Sequence, residues 1–207
     1  MEKNFNEQES LQLINSMIAE ARNNVSKGDG MTLLFVGYSL VVISLLNALL
    51  LHLLTPSYMA YNVWWLMLPV TFIVFWIGHK QDKKATVRTH IDKIATGVWS
   101  VFVWSMFLVF ILSFGFAFSL KNTGLGIMLT PVILVLVGFA QYVVGIAYKY
   151  APFMKGAIVF WIGAILCMVY FYVMKEESGQ YIIFALSVIG GFIIPGHMLN
   201  KKTEQNV

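Results

Sequence analysis

Residues 31–54 read MTLLFVGYSLVVISLLNALLLHLL, 24 positions without an Asp, Glu, Lys or Arg. At 1.5 Å of rise per residue such a helix covers about 36 Å, and the hydrocarbon core of a bilayer is about 30 Å thick. A helix apolar on every face must be hidden from water altogether, and a run this long fits a membrane span. Five more blocks follow the same rule, giving predicted spans at 31–54, 58–78, 97–119, 126–147, 153–174 and 180–199. None holds an Asp, Glu or Arg, and Lys155 is the only lysine in a block, near an end where its stem can snorkel. Short connections make hairpins of spans 1–2, 3–4 and 5–6.

Composition agrees. The chain of 207 residues is 58% hydrophobic and 12% charged with a mean hydropathy of +0.74, against about 45–50% and about 25% in soluble domains. The expected fold is therefore all-α: an integral membrane bundle of six transmembrane helices arranged as three antiparallel hairpins. It is preceded by a cytoplasmic segment (1–30) with an amphipathic helix, interrupted by a cytoplasmic loop (79–96), and closed by a tail (200–207). The first 30 residues hold no apolar run, so no cleavable signal is expected. The single cysteine, Cys167, lies in a hydrophobic stretch and reads as a packing residue.

Basic residues set the orientation. Lys3, Arg22, Lys27, Lys80, Lys83, Lys84, Arg88, Lys93, Lys149, Lys155, Lys201 and Lys202 fall on one side, and only Lys121 and Lys175 on the other. The side rich in Lys and Arg faces the cytoplasm, which places both termini there. This asymmetry also accounts for the net charge of +4 without a nucleic-acid partner. Tyr58, Tyr61, Trp64, Trp65, Tyr170, Tyr172 and Tyr181 then lie near the outer interface, and Trp99, Tyr148 and Tyr150 near the inner one, as anchoring belts.

Two cytoplasmic stripes are candidates for protein contact. Leu11, Ile14, Ile18, Ala21 and Val25 share one face of a helix over 6–26, opened by Asn6 and Glu9 in capping-box spacing and ended by a break at Gly28-Asp29-Gly30. Val87, Ile91, Ile94 and Val98 form a second stripe within 84–96 that runs into span 3. Residues 1–30 carry a net −2 and residues 79–96 a net +3, so the stripes suit each other within one chain, or suit another protein or a second copy. The other partner is the lipid bilayer.

Within the spans, Gly138 and Gly145 of span 4, and Gly156 and Gly163 of span 5, are each seven apart. That spacing keeps small residues on one face, where two backbones approach closely; the expectation is a tight span 4–span 5 hairpin through these faces. Asn47, Asn62, Thr71 and Gln141 are the polar groups at depth, suited to interhelical hydrogen bonds or to lining a solute path beside Pro69. Pro131 and Pro195 lie nearer span ends, where they kink or terminate helices. Gly78-His79 through Lys84 matches Gly196-His197 through Lys202 at four of seven positions, by duplication or by convergence of basic helix ends. His79 and His197 thus occupy matching ends of spans 2 and 6; two histidines without a carboxylate or cysteine make a poor metal site and read as interfacial side chains.

No catalytic, cofactor-binding or metal-binding pattern stands out. H-E-x-x-H, G-x-S-x-G and paired intramembrane aspartates are missing, and no ionisable group lies at depth as pumps and ion-coupled transporters require. An enzyme is not expected. Glu9-Ser10-Leu11 through Asn24, Lys155-Gly156-Ala157 through Ala164, and Ile193-Ile194-Pro195-Gly196-His197 resemble uncharacterised bacterial multi-pass inner-membrane proteins. The resemblance implies a location in the bacterial inner membrane and a helical fold; it carries no activity. The functional expectation is a regulatory, sensory or scaffold protein acting through protein contact, with a small transporter or channel for a neutral or apolar solute as the alternative.

Overall fold

The computed structural model describes residues 29–54, 57–84, 90–120 and 128–205. These residues are almost entirely helical, with no strand among them. In chain order they form α1 (Asp29–Leu53), a 3₁₀ helix (Ser57–Leu66) continuing into α2 (Met67–Lys84), and α3 (His90–Leu120). Then come α4 (Leu129–Ala147), α5 (Ala151–Met174) and α6 (Ser178–Val188), the last continuing through a π turn (Ile189–Ile193) into α7 (Ile194–Gln205). Six of the resulting helical rods are long and apolar enough to cross a membrane: Gly30–Leu53, Met59–Lys80, His90–Ser113, Leu129–Ala147, Ala151–Met174 and Ser178–Lys201. Residues 6–26, which carry the first amphipathic stripe, and Val87 of the second lie outside the described residues, while Ile91, Ile94 and Val98 of the second stripe lie on α3.

The rods differ in how far they are enclosed. The sixth rod (α6, π turn and α7) packs against α1 on one side and α5 on the other, while α4 packs against α5 and α3. Leu134, Val137, Phe160, Ala164, Cys167, Phe184, Val188 and Phe192 form the core between α4, α5 and the sixth rod. Close fit and dispersion hold this contact, with glycine and alanine letting the backbones approach. By contrast, α2 and α3 present broad apolar faces outward: Phe72, Phe75 and Trp104 are each more than 70% exposed. The 3₁₀ helix that leads into α2 meets the core through Trp64, against Tyr181 and Phe184, while α3 packs along α4 and sets Trp99 against Phe192.

Residue pairs give the directions. A Cβ on Gly145 would meet the Met154 backbone N at 3.0 Å, and one on Gly138 the Trp161 Nε1 at 2.5 Å, so α4 and α5 run antiparallel. The α4 glycines thus face α5. The α5 glycines lie at the seam between α4 and the sixth rod: a Cβ on Gly156 would come 2.7 Å from Gln141 Nε2 of α4, and one on Gly163 3.5 Å from Leu134 Cδ1. A Cβ on Gly156 would lie 2.6 Å from the Gly191 oxygen, and one on Gly163 would overlap the Ser187 hydroxyl, so both lie against the sixth rod. Ala157 and Trp161 of α5 fill the space left by Gly138 of α4.

One local expectation is corrected. Asp29 and Gly30 do not break the chain before α1; they open the helix. Gly30 is needed for close approach instead, since a Cβ there would overlap the Asn200 side chain of α7.

Candidate functional site

One set of buried polar contacts surrounds the π turn of the sixth rod. Pro195 has no backbone N–H, and in an α-helix its ring would clash with the carbonyl four residues earlier, that of Gly191. The chain answers by widening to π geometry, with the Ile194 N–H reaching back to the Ile189 oxygen. Gly191 O therefore receives no N–H from the position four residues on. Gln141 of α4 supplies one: its Nε2 donates to Gly191 O at 2.6 Å. Glycine at 156 lets α5 pass close enough for this contact, since a Cβ there would lie 2.7 Å from the Gln141 Nε2, and glycine at 191 spares the Phe160 ring. Below the turn, Tyr150 donates to Pro195 O at 3.3 Å; burial pushes the Tyr150 phenol above its ordinary value.

The same arrangement leaves one group unsatisfied. Gln141 is 1% exposed, and its Oε1 has no hydrogen-bond partner among the described residues. An amide carbonyl so placed costs about 1–3 kcal/mol. π turns and buried unpaired carbonyls both recur at functional positions, which makes this the leading candidate site.

A second polar cluster caps the opposite end, where α1, the 3₁₀ helix and the start of α6 meet. With its amide turned so that both atoms are satisfied, Asn47 donates to Ala60 O at 2.9 Å and accepts from Trp64 Nε1 at 3.1 Å. Ser44 donates to Tyr181 O at 2.6 Å. Tyr61 donates to the Glu177 carboxylate, and Glu176 accepts from Ser178 at 2.6 Å and lies 3.5 Å from His52 Nε2. Glu176 and Glu177 had drawn no attention in the sequence because they sit in a short connection, yet they tether α1 and the 3₁₀ helix to α6. Tyr61 and Trp64, read as belt anchors, are also interhelical partners.

The other sequence candidates are dispersed. Thr71 is exposed and its hydroxyl donates to Met67 O of its own helix at 2.8 Å. His197 pairs with Tyr38 of α1 at 2.8 Å, whereas His79 is exposed on α2. Among the described residues no group of three or more His, Cys, Asp or Glu side chains converges as a metal would require. Asn47 and Gln141 occupy opposite halves of the bundle, and the hydrogen bonds described for them are structural.

The chain matches no protein-family model, no curated protein and no solved structure. Its geometry alone must therefore carry the functional reading.

Proposed function

We propose that this is a multi-pass protein of the bacterial inner membrane, with six spans in three antiparallel hairpins and both termini cytoplasmic. It works as a regulatory, sensory or scaffold subunit through protein–protein contact, without catalysis. What supports this most is the uneven packing. The two rods joined by the basic segment 84–96 are the two least enclosed by the rest of the bundle. A partner engaging that segment would act on the rods that cost least to move. The opposite charges of residues 1–30 and 79–96 supply an intrachain alternative hold that such a partner would replace. The test is affinity purification of the full chain in mild detergent, comparing wild type with Ile91→Glu and Ile94→Glu. A stoichiometric partner, lost in the two variants while the bundle keeps its thermal stability, is the expected result. Equal recovery by all three, or no partner at all, would defeat the reading.

A second reading, a transporter or channel for a neutral or apolar solute, draws on one observation. The π turn beside an unpaired buried carbonyl resembles the interrupted helices from which transporters build sites near the bilayer midplane. Flux of small neutral solutes into proteoliposomes, abolished by Gln141→Leu, would favour it over the first.

A further inference from the structure

Between α4 and α5 a groove of about 680 Å³ opens on the outside of the bundle, lined by Pro131, Val135, Phe139, Trp161, Ile165 and Val169 among others, all apolar. Because the helices are antiparallel, Pro131 lies level with Val169, and Phe139 with Trp161. The groove therefore starts near the Glu177 end and stops halfway along the rods. There the Phe139 and Trp161 rings close it, 5.3 Å apart. The Trp161 N–H is directed onto Val135 O at 3.4 Å, which leaves the groove no polar group of its own.

The face of α5 that lines the groove continues outward. Tyr172 lies four residues beyond Met168 and seven beyond Ile165, on the same side of the helix. Above it the helix ends at Lys175 in the left-handed conformation (φ 56°), with the ammonium held 4.5 Å from the centre of the Tyr172 ring. The neighbouring carboxylates are engaged elsewhere, Glu176 by Ser178 and His52 and Glu177 by Tyr61. Among the described residues no ion pair involves Lys175. From Trp161 to Tyr172 the rise is about 16 Å, close to one leaflet of a core about 30 Å thick.

We propose that this groove seats one acyl chain of an anionic phospholipid, with the lipid phosphate at the Lys175 ammonium. A closed inner end, a lined length of about 12 Å that Tyr172 extends towards one leaflet, and a cation at the open end suit a lipid. A transmembrane helix from a second copy would need a strip running through both leaflets. The proposal rests on the membrane-spanning reading, and the two fail differently: if that reading is wrong, the chain stays monodisperse without detergent.

The experiment is native mass spectrometry of the full chain in detergent, titrated with phosphatidylglycerol or phosphatidylcholine of equal chain length. Wild type is expected to retain one phosphatidylglycerol about fivefold more tightly than phosphatidylcholine, the factor that one interfacial lysine supplies. Lys175→Gln should erase that preference without weakening phosphatidylcholine. Val169→Trp and Ile165→Trp, which fill the groove, should weaken both lipids. Leu166→Trp, exposed on the same helix but off the groove, should weaken neither. Equal retention of the two lipids by wild type, or groove variants that match Leu166→Trp, would overturn the proposal. So would groove variants that change the ratio of dimer to monomer while lipid retention stands, since the occupant would then be a second copy. Two groove variants keep the test alive if one misfolds.

Discussion

Replacing Gln141 by Leu tests whether Pro195 and Gln141 form a single device. Gln141→Leu removes the donor to Gly191 O, and interhelical hydrogen bonds in membranes average about 0.6 kcal/mol with a maximum near 1.7. It also leaves Gly191 O unpaired, a cost of about 1–3 kcal/mol. Against this, the variant deletes the Gln141 Oε1, whose own unpaired burial costs a similar amount. The opposing terms leave a net destabilisation of about 1 kcal/mol. In a chain of this size that is about 2–4 °C of thermal midpoint. Pro195→Ala restores an N–H that an α-helical turn would aim at Gly191 O. In that background Gln141→Leu should cost close to nothing, giving a coupling of about 1 kcal/mol in a double-mutant cycle. Thermal unfolding of the four proteins in one detergent measures it. If Gln141→Leu costs the same with Pro195 as with Ala, the carbonyl is not what joins the two residues, and the account of the π turn is wrong.

Other outcomes follow from neighbouring contacts. Asn47→Leu, which frees Ala60 O and the Trp64 N–H, should speed amide exchange across Ser57–Leu66 while leaving α4 and α5 protected. Gly163→Leu should destabilise by about 1–3 kcal/mol or more through overlap with Ser187; Gly97→Ala, with nothing within 4 Å of its Cβ, should be neutral or slightly stabilising in the same melt. Burial holds the Tyr150 phenol above its usual 10.0, so its contribution is whole below that value and is lost as pH rises past it. Tyr150→Phe should accordingly flatten alkaline destabilisation of the solubilised protein.

The helical fold was readable because its cause is local. A run such as 31–54 has only one solvent that suits it, and neither contacts nor partners are needed to see this. The α4 glycines were legible for the same reason, since a seven-residue spacing is written in one segment. The α5 glycines share that spacing and do meet α4, at Gln141 and Leu134, but their nearest neighbours belong to the sixth rod, because spacing shows which residues share a face and not everything that face meets. Gln141 could be named as a polar group at depth, yet its partner lies 50 residues away. Pro195 reads in the sequence as a kink or a stop because it sits near the end of the apolar block, and the helix in fact continues through it after a π turn. The signal available was a pair: a proline inside a span orphans a carbonyl, and a lone amide in another span can supply the donor. Glu176 and Glu177 gave no such hint, since acids in a short connection are common and their tethering role depends on where Tyr61 and His52 come to rest.

The central claim is that an even number of helices crosses the membrane, with the Glu177 end outside and the Lys201 end inside. Single cysteines at positions 176 and 201, in a background where the buried Cys167 is replaced by Ala, can be probed in intact cells with a membrane-impermeant maleimide. Position 176 should label at once and position 201 only after the membrane is permeabilised. Labelling of both before permeabilisation, or of 201 alone, would contradict the proposed topology.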